Sequence, residues 1–269
     1  MTDQKISPPT ITPMGAVNWI GLWTLYLREV RRFVKVYTQT LMAPVVTTLL
    51  FLAVFTLALG GTVRTVAGIP FMEFLAPGLI VMSIVQNAFA NTSSSIMISK
   101  IQGNIIDTLM PPFTAHELVF GITMGGVSRG ISVGVVVAVA MSFFVDIDIQ
   151  HWGFVFYHGF MASLMLALLG TIGGIWSEKF DHIAAVTNFI ITPLSFLSGT
   201  FYSIQRLPEK AQLAAHFNPF FYMIDGMRYG FTGHADGNIM AGLVIMAGVN
   251  ACLWALCTWM FKSGYRLKA

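Results

Sequence analysis

The sequence predicts an all-α membrane protein: six transmembrane helices, with an N-terminal amphipathic interfacial helix and an outer re-entrant helical hairpin between spans five and six. Three observations carry this. The 269 residues are 55% apolar before the 25 glycines are counted, and only 10% are charged, whereas a soluble domain is roughly 25% charged. Six apolar runs approach the roughly 20 residues needed to cross the hydrocarbon core of a bilayer. None of them shows the alternation of a barrel strand, and backbone groups in lipid must bond internally, so the runs are helices.

The runs extend from Leu41 to Leu59, Leu75 to Met97, Leu118 to Phe144, Phe154 to Trp176, Ile183 to Tyr202 and Ile239 to Phe261. Residues 1–18 hold Asp3, Lys5 and Pro8-Pro9 but no apolar core. They read as a disordered cytoplasmic tail rather than a signal peptide, ahead of one transmembrane domain over 19–269. With the N-terminus inside, Lys5, Arg28, Arg31, Arg32, Lys35, Lys100, Lys179, Lys262, Arg266 and Lys268 fall on the inner side, against Arg64, Arg206, Lys210 and Arg228 outside. That asymmetry puts both termini in the cytoplasm. Trp19, Trp23, Trp152, Trp176 and Trp259 mark span ends and serve as interfacial anchors.

Before the first span, Trp19, Leu22, Trp23, Tyr26, Val30, Phe33 and Tyr37 recur at three- and four-residue spacing, with Arg28, Arg31, Arg32 and Lys35 on other faces. This is the pattern of a helix lying in the inner leaflet boundary. Between spans five and six, Phe217 to Ile224 is too short to cross and too apolar for a solvated loop, which predicts short helices dipping back into the outer leaflet.

Enzymatic chemistry finds little support. Gly126-Val127-Ser128-Arg129-Gly130 matches G-x-S-x-G, but it lies in mid-helix where a nucleophile elbow needs a strand-to-helix turn. A membrane-embedded serine hydrolase also needs a histidine at depth, and His158, His182, His216 and His234 fall at span ends or in loops. Gly126, Gly130, Gly134 and Ala138 instead form a small-residue stripe for close helix packing. His116-Glu117 lacks the second histidine of a zinc motif because Phe120 stands there, so no metal ligands are assigned. Cys252 and Cys257 cannot face each other on one helix. No phosphate-binding loop occurs, Gly-Lys being absent, so no catalytic residue and no bound cofactor are assigned to this chain. The net charge of +3 is no nucleic-acid footprint.

Polar residues within the runs are the remaining signal. Arg129 lies in the third, where its insertion costs about 2.5–3.5 kcal/mol. Span two offers it Gln86, Asn87, Asn91 and Thr92 to Ser95, and span five Thr187, Asn188, Thr192 and Ser195. These residues form either a polar-lined route or interhelical hydrogen-bonded glue. Asp225 and Arg228 are spaced for an ion pair on one helical face. Pro44, Pro77 and Pro193 are bend points.

Phe74-Leu75-Ala76-Pro77-Gly78, Leu197-Ser198-Gly199-Thr200-Phe201-Tyr202, Leu207-Pro208, Asn218-Pro219 and Asp225-Gly226-Met227-Arg228-Tyr229-Gly230 occur in this order. Together they resemble the permease subunits of ABC-2 type transporters, and the resemblance covers nearly the whole chain. It implies an export permease of the bacterial inner membrane, with a second permease subunit, most simply a homodimer, and two copies of a separate ABC ATPase that uses ATP and Mg. It also implies a coupling helix within Lys100 to Pro111, including Gln102, Gly103, Ile106, Asp107 and Leu109, and a second ATPase contact at Glu178, Lys179 and Asp181. Ile101, Ile105, Ile106 and Leu109 are expected on one gripping side of that segment. A translocation path or gate would then use Gln86, Asn87, Asn91, Arg129, Asn188, Ser195, Ser198, Gly199, Asp225 and Arg228. An amphiphile (lipid, glycan or drug) suits the apolar spans. The competing class, an ATP-independent secondary carrier, would need mid-membrane carboxylates and repeat symmetry, and no carboxylate stands near Arg129 in sequence.

Overall fold

Six helices are long and apolar enough to cross a membrane in the computed structural model, which describes residues 17–59 and 65–267. The tail before residue 17, and with it Lys5, lies outside the described residues, as do Arg64 and Lys268.

Helix α1 (Trp19–Val34) starts at Asn18, whose side chain accepts the Gly21 N–H at 2.9 Å. Its buried residues are Leu22, Leu25, Glu29 and Phe33, so one stripe packs on the protein while Trp19, Ile20 and Trp23 stay exposed. A π-helical turn (Thr38–Met42) leads into α2 (Ala43–Leu59). Pro44 follows the turn and lacks the N–H that a regular helix would direct at Thr40, which accounts for the widened turn. A two-stranded antiparallel hairpin, β1 (Thr65–Val66) with β2 (Ile69–Pro70), precedes α3 (Phe71–Ile101).

Helix α4 (Ile105–Leu109) is a single short turn. Helix α5 (Ala115–Met141) opens on a capping box in which Thr114 and Glu117 satisfy each other's backbone N–H groups. This start precedes the expected Leu118, and the helix stops at Met141 with Phe143 and Phe144 exposed beyond it. Helix α6 (Trp152–Trp176) follows. The fifth crossing is α7 (Phe180–Val186), a π turn (Thr187–Ile191), α8 (Thr192–Ser195) and a second π turn (Phe196–Thr200). Pro193 again follows a π turn. Gly199, at φ +80°, ends that crossing in a conformation an L side chain resists. Short helices α9 (Glu209–His216) and α10 (Pro219–Thr232) come before the last span, α11 (Ile239–Ser263).

Burial divides the spans. Within its most apolar window α3 is 78% buried, against 17% for the first and last spans. It is gripped by α5 and α6, and glycines set the approach. A Cβ on Gly126 would lie 2.6 Å from Thr92 Cγ2 and 3.0 Å from Ala167 Cβ; on Gly130 it would strike Ser163 Oγ and come within 3.0 Å of the Ile84 carbonyl oxygen. Gly174 of α6 meets Ile96 Cβ at 2.9 Å in the same way. The stripe expected on the third span is therefore a packing seam shared by three helices.

Hydrogen bonds sort the ends. Lys100 Nζ donates to the carbonyl oxygens of Ile175 at 2.7 Å and Ser177 at 2.6 Å, and Arg266 Nη1 donates to that of Trp176 at 3.1 Å. The Asn18 N–H donates to Glu117 Oε1 at 2.7 Å. One end, called basal here, thus gathers the starts of α1 and α5 and the finishes of α3, α6 and α11. At the distal end the His151 N–H donates to the Gly230 carbonyl oxygen at 2.9 Å.

Replacing Gly130 by Leu should prevent this packing and lower stability by about 1–3 kcal/mol or more. Gly248, with nothing within 4 Å of its added Cβ, should tolerate Leu. Thermal unfolding midpoints in detergent distinguish the two, and equal midpoints would contradict the packing seam.

Candidate functional site

Polar chemistry gathers in three places along α3. At mid-helix, Arg129 of α5 donates from Nη2 to Asn87 Oδ1 at 3.1 Å. One turn further along α3, Arg32 of α1 donates to Asn91 Oδ1 and to Ser94 Oγ, both at 3.0 Å. Thr48 and Ser83 join α2 to α3 at 2.9 Å. Gln86, Asn87, Ser94 and Arg129 border a cleft of about 700 Å³ that also includes Gln39, Thr40 and Thr47 from the first crossing. Its other walls are apolar, including Phe51, Leu79 and Met82.

A second cleft of about 770 Å³ adjoins the first at Ile98 and is lined by Arg28, Arg31, Arg32 and Lys35 as well as Asp107 and Thr108. Glu29 is only 1% exposed and lies 3.1 Å from Arg28 and 3.4 Å from Arg32. Burial lowers the affinity of the Arg32 guanidinium for its proton, Glu29 raises it and Arg28 lowers it again; an arginine so placed remains a cation. Glu29 was not singled out from the sequence, and Arg28 and Arg32 were read there only as cations on the other faces of an interfacial helix. The one available signal for Glu29 was its register with Leu22, Leu25 and Phe33.

The basal end carries the residues expected to touch an ATPase. Gln102, Gly103, Ile106 and Asp107 are exposed, as are Glu178, Lys179 and Asp181. The gripping side differs from expectation. Ile105 turns inward at 7% exposure and Leu109 is half-buried, while Ile101, Ile106 and Met110 face outward. Lys100 is withdrawn from this surface, since its ammonium caps the final turn of α6 through Ile175 and Ser177. That bond ties the two segments together.

At the distal end the residues expected to gate form a latch. Arg228, buried on α10, donates to the Gly199 carbonyl oxygen at 2.6 Å and lies 3.8 Å above the Phe74 ring. Asn218 Nδ2 donates to Ser198 Oγ at 2.7 Å, and Ser198 in turn donates to the Leu194 carbonyl oxygen. The expected Asp225–Arg228 ion pair does not form. Asp225 instead accepts the N–H groups of Asp236 at 2.8 Å and Gly237 at 3.0 Å. Asp236 accepts from Ser203 Oγ at 2.8 Å and from the Ile204 N–H at 3.1 Å. Each side chain thus found a backbone partner that its neighbour three residues away could not better.

The expected path residues do not form one lining. Gln86, Asn87 and Arg129 share the cleft, Asn91 is buried beneath Arg32, Ser195 bonds back to the Ile191 carbonyl oxygen at 2.8 Å, and Asn188 is exposed on the fifth crossing. His158 is fully buried within α6 rather than at a span end, against Gly226 of α10. Ser128, the would-be nucleophile, pairs with the Tyr26 hydroxyl at 2.8 Å and not with a histidine.

The model of the ABC-2 type transporter family matches residues 21–232, from α1 through α10. The chain belongs to the ABC-2 type transporter family. It is 34% identical to the inner membrane transport permease YadH of Escherichia coli strain K12, over 95% of this chain and all of that one. It is 25% identical to nodulation protein J of Rhizobium leguminosarum bv. trifolii, over 84% of this chain and 85% of the relative. Nodulation protein J of Sinorhizobium fredii is 24% identical over 94% of each. In this ABC-2 transporter chain, the matched region contains Arg32 and Arg129, which bond to α3, and the Arg228–Gly199 and Asn218–Ser198 contacts of the distal latch.

Arg228→Met should cost about 1.5–3 kcal/mol, because a charge-assisted bond to a buried carbonyl is lost. The unfolding midpoint in detergent reads this, with Arg228→Lys in between. A midpoint unchanged in Arg228→Met would show that the latch holds nothing.

Proposed function

We propose that this chain is the permease subunit of an ATP-driven exporter in a bacterial inner membrane, moving an amphiphilic substrate with energy from a separate ABC ATPase. The observation that carries this reading is the basal surface: two segments, 102–107, exposed at all but Ile105, and 178–181, tied through Lys100, in a chain of the ABC-2 family. The name of the 34%-identical relative, an inner membrane transport permease, supports the compartment.

With both termini in the cytoplasm, the basal end faces the ATPase and the excess of Lys and Arg lies inside. Helix α1 then lies at the inner interface, with Trp19 and Trp23 turned to lipid, Leu22, Leu25 and Phe33 buried on the protein, and Leu25 packed on Gly121 of α5. Helices α9 and α10 make the re-entrant hairpin of the outer leaflet. Two copies of this chain and two ATPase subunits complete the assembly, and the second copy closes the cleft beside Arg129 into a path. ATP and Mg act in the ATPase subunits, whose closure draws the exposed segments together. The bundle around α3 rocks as one packed body, and the Arg228–Gly199 latch serves as the outer gate.

Co-expression with an ABC ATPase subunit from the same genome tests the reading. The complex should co-purify and hydrolyse ATP, while the chain alone binds no nucleotide. Asp107→Arg should leave the permease folded, since Asp107 is exposed, but cut coupled transport about tenfold or more by setting a cation against the partner surface. Gly103→Trp should act likewise, with an added backbone cost at φ +73°. Wild-type transport in the absence of any ATPase would overturn the proposal.

A further inference from the structure

Among the described residues Arg129 is the one guanidinium carried at the middle of a span, and its own partner is a neutral amide. Among the described residues four ion pairs form, and none includes Arg129. Its Nη2 donates to Asn87, its Nε is buried without a partner, and its side chain borders the 700 Å³ cleft. The nearest polar neighbours do not neutralise it. Asn91, four residues along α3, is engaged by Arg32, a second cation, and leaves its own Nδ2 buried and unpaired. The single buried carboxylate of this region, Glu29, is already shared between Arg28 and Arg32. Arg129 and Arg32 therefore bond to successive turns of α3, the one nearby carboxylate is taken by Arg32 and Arg28, and Arg129 borders the open cleft without a counter-ion.

A bare cation in a low-dielectric setting is costly, and a guanidinium presents paired N–H donors that match the oxygens of a phosphate or carboxylate. The cleft adds amide and hydroxyl groups from Gln86, Gln39 and Thr47. Phe51, Leu79 and Met82 supply apolar lining, and Val46, Leu50 and Val54 of α2, the helix that carries Phe51, are exposed. A polar lining with a surplus positive charge, combined with an apolar one, suits a molecule with an anionic head and an alkyl tail.

We propose that Arg129, positioned by Asn87, is the recognition residue for an oxyanion, phosphate or carboxylate, carried on an amphiphile that enters the cleft along α2. This rests on the transport reading and narrows its substrate class from amphiphiles in general to anionic ones.

Binding of radiolabelled hexadecyl phosphate to the full chain in phosphatidylcholine nanodiscs tests it, corrected for uptake by empty nanodiscs. Saturable binding is expected for the wild type. It should weaken about tenfold or more in Arg129→Gln, by loss of a charge-assisted hydrogen bond. Asn87→Asp should weaken it as much while keeping the arginine, because the new carboxylate supplies the missing counter-ion inside the protein. Arg129→Lys should retain part of the binding. The Asn87 variant guards against misfolding of the Arg129 one. Equal saturable binding of neutral hexadecyl maltoside would overturn the proposal, as would binding unchanged in both variants. Displacement by inorganic phosphate at the same concentration as the alkyl phosphate would overturn it too, by making the ligand a free anion. ATP-driven flux of the complete complex separates the two readings: flux without hexadecyl phosphate binding removes this site alone, and binding without ATP-dependent flux removes the transport reading alone.

Discussion

The structure depends on α3 being held at near-backbone distance between α5 and α6. In a bilayer core no water is present to satisfy a polar side chain, and lipid tails compete with apolar contacts, so helices associate through close packing and internal hydrogen bonds. Helix α3 uses both. Thr92 donates to the Ala167 carbonyl oxygen of α6 at 2.8 Å, a bond that is possible because Gly126 and Gly170 let the three backbones approach. The helix can then carry Ser83, Asn87, Asn91 and Ser93 through the membrane without exposing them to lipid.

Both ends of that helix are also anchored to other parts of the molecule. Basally, Lys100 reaches the finish of α6. Distally, Phe74 lies under Arg228, and Gly78 packs against Thr200 with a Cβ position 3.0 Å from its carbonyl oxygen. One helix thus joins the basal surface to the distal latch. The fifth crossing differs in kind, since two π turns and Pro193 interrupt it and α7 has no buried residue. The buried residues of this crossing are Ile191, Ser195 and Ser198 to Thr200, toward the distal end where it meets α3 and α10.

Much of this was legible in the sequence because it is written in local patterns. The six crossings follow from apolar run length, and their ends move by at most a turn or so, as Phe71–Ile101 against Leu75 to Met97 illustrates. The glycine stripe at 126, 130 and 134 follows from helical spacing, and the Asn87–Arg129 bond joins residues that sequence alone had placed in neighbouring spans. What escaped notice depends on distant partners. Asp225 had an obvious neighbour in Arg228, yet backbone groups from 236 and 237 outcompete it. Glu29 stands among the cations of the interfacial helix, and its burial arises from Gly125 of α5, which leaves room for it. Ile105 and Ile106 are adjacent, and only the angle at which the short α4 leaves α3 decides which of them is exposed.

Whether the basal surface meets the ATPase is tested most directly by cross-linking. In a background carrying Cys252→Ser and Cys257→Ala, a cysteine replacing exposed Gln102 should couple through a short bifunctional maleimide to a cysteine on the ATPase subunit of the assembled complex, and one replacing exposed Gln205 beyond the distal latch should not. Coupling from position 205, or none from 102 in a complex that hydrolyses ATP, would contradict the account.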